Sequence, residues 1–222
     1  MTLAKPHPRP LSTFVERGAR RPPASPEART EYPPLSSPSP RPRREGRGVR
    51  PSEWWAAVRH DPVAFRRWLL AQYRGEATAA GRIEALRDRF APAGSRAHRV
   101  LSVIASQERR HAGWVGELLA ARGWTPAAAP APERYWPEVE SGIADLATGC
   151  AVGAHAEKMR LERIEVIAAD PDAPADVRAT FARILRDERF HERAFRILAG
   201  PDALASTRAS HARGRRALGL IA

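Results

Sequence analysis

Two strings in this chain carry the same pair of ligand-type side chains at the same spacing. SQERRHAGW, from Ser106 to Trp114, holds Glu108 and His111, and RDERFHERA, from Arg186 to Ala194, holds Glu188 and His191. Carboxylate oxygens and imidazole nitrogens together suit divalent transition metals. Three residues turn a helix by about 300°, so a Glu and a His at i and i+3 share one face and can reach one ion. Each pair has a leading glutamate: Glu76 stands 32 residues before Glu108, and Glu157 stands 31 before Glu188.

All six residues interrupt apolar stripes at heptad-like spacing. The stripes run Leu69, Tyr73, Glu76, Ala80, Ile83; Leu101, Ile104, Glu108, His111, Val115, Leu118; Ile143, Leu146, Cys150, Gly153, Glu157, Leu161, Ile164; and Val177, Phe181, Ile184, Glu188, His191, Phe195, Leu198. A carboxylate on such a stripe must leave water, at a cost of several kcal/mol per ion when unpaired. Arginine or lysine could offset it, but the neighbouring stripe positions are apolar. Two divalent cations balance four carboxylates, and the two histidines add neutral nitrogen ligands. The competing reading is a charge network inside the bundle built on Arg82, Arg109, Arg163 and Arg189.

The elements that must position these residues are helical. Ser52 reads as the N-cap of a short helix ending near His60, and Asp61-Pro62 as a second start signal. Long helices are expected over about 62–89, 96–122, 141–169 and 175–199, punctuated by Ala91–Ser95, Gly123, Asp170–Pro174 and Gly200-Pro201. A Pro/Ala-rich connection covers roughly 124–140, and the last twenty residues read as a weaker basic helix. Strand-like alternating runs are absent. The halves also match: EATAAGRIE from Glu76 against EKMRLERIE from Glu157, and Ile104-x3-Glu108-Arg109-x-His111 against Ile184-x3-Glu188-Arg189-x-His191. Two related helix hairpins, an old duplication, account for this.

The order Glu, Glu-x-x-His, Glu, Glu-x-x-His resembles the dinuclear carboxylate site of ferritin-like proteins, in particular the rubrerythrin and bacterioferritin branch. The resemblance covers about residues 62–199 and implies an all-α ferritin-like four-helix bundle with a long crossover between its second and third helices. About 17 extended residues at ~3.3 Å each reach past 50 Å, more than the ~40 Å length of a 27-residue helix. It implies two iron ions, with manganese as the alternative. Glu76 and Glu157 would be terminal ligands, Glu108 and Glu188 bridging ligands, and His111 and His191 would each add one nitrogen. One cysteine excludes a four-cysteine rubredoxin module, and nothing marks Met159 as a haem ligand.

Other residues have plainer readings. Glu84 and Glu165 recur eight residues after the leading glutamates and are expected to pair with the repeated arginines, the alternative being an extra, mobile ligand. Glu162 is a possible substitute for Glu157. Tyr73, one turn before Glu76, reads as core, with a redox or hydrogen-bonding role as the catalytic alternative. Cys150 is a small core residue. His60, His98, His155 and His211 are expected at the surface, and Trp114 and Trp124 in packing.

The net charge is +12, but residues 1–50 hold eleven basic residues against four acidic, so the excess is largely a property of that stretch. Its Pro, Ser and Arg content predicts a disordered tail. Translated upstream sequence with a native start near residue 50, a basic arm for an acidic partner, and a targeting extension are the three readings of it. The expected domains are therefore the tail at 1–50, the bundle at 51–200 and a basic extension at 201–222. No apolar run spans a bilayer and no secretory signal is seen, so a cytoplasmic protein is expected. Nucleic acid is not expected as a partner. The functional expectation is a di-iron oxidoreductase acting on dioxygen or peroxide with an unidentified reductant or small-molecule substrate, as a monomer or homodimer. The alternatives are iron storage, or a structural bundle with a degenerate site.

Overall fold

The structure is a computed structural model that describes residues 50–126 and 133–220. Apart from Arg50, the tail expected over 1–50 lies outside the described residues. Four long helices make the bundle: α2 (Pro62–Phe90), α3 (Arg96–Ala120), α5 (Leu146–Ala169) and α6 (Ala175–Ser206). Three short ones accompany them: α1 (Pro51–His60), α4 (Trp136–Val139) and α7 (Arg208–Ala217). There is no strand among the described residues, and no described helix is long and apolar enough to cross a membrane.

The helix starts follow from local chemistry. Asp61 accepts from the backbone of Val63 and Ala64 ahead of α2, and Ser95 accepts from His98 ahead of α3. Two starts differ from expectation. α1 begins at Pro51, with Arg50 at the cap position and Ser52 inside the first turn. α5 begins at Leu146 rather than near 141, because Asp145 and Thr148 form a reciprocal capping box. The residues ahead of it form α4 and a 3₁₀ turn, Glu140–Gly142, and Ile143 packs with Trp136 beside Tyr135 and Val139 instead of extending the α5 stripe. α6 runs on to Ser206 through a break at Gly200, whose φ of 72° suits glycine, with Pro201 opening the next turn.

Two apolar clusters bracket the polar level of the bundle. One gathers Leu69, Val115, Ile164, Phe181 and Ile184 around the aromatic group Trp55, Phe65 and Trp68. The other gathers Ile83, Leu101, Ile104, Cys150, Ala154 and Phe195. Along α2 and α6 the chain passes from the first cluster to the second, whereas along α3 and α5 it passes from the second to the first. α3 and α5 therefore run in the same direction, and a chain leaving one must travel the bundle's length to enter the other. This gives the long crossover a physical reason, and the segment between Ala120 and Leu146 supplies it. α2 packs chiefly on α3 and α5 on α6, so the two sequence repeats are two hairpins.

Candidate metal centre

Glu76, Glu108, His111, Glu188 and His191 are fully buried, and Glu157 is 6% exposed. All six meet at the level between the two apolar clusters. Their ligand atoms form two groups, Glu76, Glu108, His111 and Glu188, then Glu108, Glu157, Glu188 and His191; within each the atoms lie within 4.8 Å of one another. Glu108 and Glu188 belong to both. His111 Nδ1 lies 3.4 Å from Glu188 and 3.7 Å from Glu76. His191 Nδ1 lies 3.1 Å from Glu108 and 3.6 Å from Glu188.

The outer nitrogens fix the rings. His111 Nε2 meets Asp187 Oδ2 at 3.1 Å, and His191 Nε2 meets Gln107 Oε1 at 3.0 Å. A carboxylate oxygen and an amide oxygen accept, so each Nε2 donates. Each imidazole is thereby held with Nδ1 turned to the carboxylates, an arrangement that also sharpens a metal-ligating ring. The supports are exchanged between hairpins: the residue before Glu188 holds His111, and the residue before Glu108 holds His191. Sequence reading missed them, although a polar acceptor just before each Glu-x-x-His glutamate was there to see.

Arg160 was also missed, and it corrects the expectation that no cation reaches the stripes. It lies one turn after Glu157, its side chain 21% exposed. Its guanidinium pairs closely with Glu76, stands 3.2 Å from Glu188 and lies 3.7 Å from Glu108. The arginines of the competing reading are elsewhere. Arg109 and Arg189 pair with Glu84 and Glu165, away from the six, while Arg82 pairs with Glu133 and lies over Trp136. Arg163 lies over Trp54. Glu162 faces Arg215 at 3.7 Å and stays outside the cluster.

The electrostatics are those of a site short of positive charge. Burial raises all four carboxyls. At Glu76 and Glu188 the Arg160 guanidinium and the histidines outweigh burial and hold the carboxyls below the usual range. Glu108 is pushed up to about 7 by burial and by the charge of Glu188, and Glu157 well above its ordinary value for the same two reasons. Burial works to lower His111, but the carboxylates of Glu188 and Glu76 facing its ring raise it to about 10; His191 is raised likewise by Glu108 and Glu188. Even so, both oxygens of Glu76, Glu108 and Glu188 and the Nδ1 atoms of both histidines lack a hydrogen-bond partner. Buried polar atoms are rarely left so. Oxygen and neutral nitrogen donors in two overlapping groups fit a pair of divalent transition-metal ions, which would replace the protons that the imidazoles otherwise hold.

The remaining candidates fall outside the cluster. Tyr73 packs on the first apolar cluster, its ring within 3.4 Å of where a side chain at Gly116 would begin. Cys150 is buried, its thiol pushed up to about 12 by burial. Trp124 packs on Phe65, and Trp114 lies 5.5 Å from the His111 ring. His60 is exposed and His98 half-buried. His155 and His211 are not surface residues standing apart. Their rings stack at 4.5 Å, His211 Nδ1 and the Tyr135 hydroxyl share a hydrogen bond at 2.8 Å, and His155 Nε2 contacts the Thr207 hydroxyl at 3.1 Å. They join α7 to α5 and to the segment around α4. A cleft of about 560 Å³ opens between α2 and α5, with Glu157 and Arg160 in its lining beside Trp68, Ile83, Trp136 and Ile164.

A rubrerythrin family profile matches residues 68–199. The chain belongs to the rubrerythrin family. The match contains all six clustered residues, both hairpins and the connection between them, so this is a ferritin-like protein of the di-iron superfamily. Comparison with curated proteins gave no match, nor did comparison with solved structures.

Proposed function

We propose that this protein is a dinuclear-iron oxidoreductase that activates dioxygen or peroxide. The observation that supports it best is the convergence of eight buried oxygen and nitrogen atoms on two overlapping four-residue groups, where they are met only by one another and by Arg160 in ion-pair contacts and not by well-formed hydrogen bonds. Glu108 and Glu188, common to both groups, would bridge the ions. Glu76 and His111 would complete one coordination set, and Glu157 and His191 the other. Asp187 and Gln107 hold the imidazoles in the ligating tautomer. The apolar clusters on either side exclude water, and the cleft between α2 and α5 offers a small oxidant or organic substrate a way to the Glu157 side. A bound pair of irons supplies the electrons for two-electron reduction of the oxidant.

The test is anaerobic reconstitution with Fe(II), metal analysis, and then turnover with dioxygen or peroxide and a chemical reductant. About two irons per chain and repeated cycling are expected. Binding without cycling would leave an iron-binding protein and remove the enzyme reading. Failure to bind iron, with another divalent ion held instead, would remove iron.

A further inference from the structure

We infer that Arg160 makes the two halves of the centre unequal, by contending with a divalent cation for the group formed by Glu76, Glu108, His111 and Glu188. That group then holds its metal more weakly, and exchanges it more readily, than the group formed by Glu108, Glu157, Glu188 and His191. The inference rests on the metal-centre reading above.

Three observations carry it. The ion pairs of Arg160 run to Glu76, Glu188 and Glu108. Glu76 is the carboxylate that only the first group owns, and no ion pair runs to Glu157 or reaches the second group's histidine. The contacts of Arg160 to the other two carboxylates fall on Glu188 Oε1 and Glu108 Oε2, the oxygens that His111 Nδ1 faces, so the guanidinium and a cation held with His111 contend for the same oxygens. Second, the repeat symmetry breaks here. Aligning EATAAGRIE with EKMRLERIE places Ala79 opposite Arg160, so one hairpin brings a cation to the centre and its counterpart brings a methyl group. Third, the guanidinium has somewhere to go. Arg160 lines the cleft between α2 and α5, where Gly75, Ala79, Gly153 and Ala156 are small. It can withdraw from the carboxylates without repacking either apolar cluster.

Charge counting agrees. One divalent ion and the guanidinium together offset three of the four carboxylate charges. A second divalent ion overshoots those four ligand carboxylates by one unless the guanidinium leaves, so it is at the second ion that the two cations compete, Asp187 being the one further carboxylate at hand. Asp187 acts in the opposite sense, because a carboxylate behind His111 strengthens that imidazole as a ligand. It acts through the ring, however, whereas Arg160 stands on the ligand oxygens themselves.

The experiment is anaerobic titration of the full-length, chelator-treated chain with Co(II), followed by ligand-field absorption and calorimetry. Two steps are expected, the first at least about tenfold tighter than the second. Glu76→Gln removes the weak step and keeps the tight one. Arg160→Gln brings the two steps together, and Arg160→Lys, which keeps the charge on a shorter reach, narrows the gap. Circular dichroism checks that the variants fold, and the lysine variant keeps the test decisive should the glutamine variant not fold. Equal steps in the unaltered chain, an unchanged gap in the Arg160 variants, or loss of the tight step in Glu76→Gln would overturn the inference and leave the metal centre standing. No Co(II) bound at all would overturn the centre as well.

Discussion

At the scale of residues, the centre separates side chains that share a type. Glu108 and Glu188 are buried with no hydrogen-bond partner, whereas Glu84 and Glu165 are surface partners of Arg109 and Arg189. Replacing Glu108 and Glu188 by alanine should reduce bound metal to near zero on elemental analysis. Replacing Glu84 and Glu165 should leave it unchanged and cost about 0–1 kcal/mol of stability per pair. The stacked histidines give a pH dependence. Burial, helped by His155 and by Arg215 and Lys158, holds His211 down to about 4, and burial lowers His155 as well. The unfolded chain, with His near 6.5, then binds protons that the folded chain refuses. Stability is full above about 6.5 and falls as the pH drops toward 4. Melting followed between pH 7.5 and 5 should show this slope, and His211→Asn should flatten it. The six clustered residues were legible in the sequence because a helical stripe is a one-dimensional pattern, and a glutamate on it stands out. Arg160 was not, because a long side chain reaches the cluster from a position flanking the stripe. Asp187 and Gln107 left only a polar residue before each Glu-x-x-His as a trace, and their role was hidden because each serves the histidine of the other hairpin. The His155–His211 pair spans 56 residues of sequence, and no local spacing marks it.

At the scale of elements, capping and breaking residues set where each helix presents its ligands. The four long helices were readable from periodicity and punctuation, since Asp61, Ser95, Gly123 and Gly200 act locally. The start of α5 was misread by five residues because apolar Ile143 continues the stripe, while the backbone obeys Asp145 and Thr148. Asp145→Ala should therefore lower stability through loss of the cap, seen as a lower denaturant midpoint at unchanged slope. The end of the chain was legible only as a basic helix. Its docking depends on close approach: a Cβ at Gly214 would stand 2.5 Å from the Tyr135 ring. Gly214→Ala should accordingly loosen α7, raising proteolysis after the α7 arginines while the four long helices persist.

At the scale of the whole molecule, the outer faces carry many arginines, among them Arg66, Arg67, Arg89, Arg183, Arg193 and Arg196, all exposed. Like charges at that density oppose assembly into a shell, with salt screening them over about 8–10 Å. Light scattering should report a monomer or homodimer, and loading with excess Fe(II) in air should stop at about two irons per chain; a large particle holding hundreds would favour storage. The division into two hairpins has a mechanical consequence. α2 and α3 contribute Glu76, Glu108 and His111, while α5 and α6 contribute Glu157, Glu188 and His191, and both four-residue groups draw on both hairpins. An ion held by either group would thus be a rivet through the seam between them. At about a hundredfold over its dissociation constant, such a ligand stabilises by about 2.7 kcal/mol whatever it closes. Amide exchange should therefore slow together across α2 and α5, which flank the cleft, when metal is added, and quicken together when a chelator withdraws it, so that the protein's breathing becomes a readout of its metal.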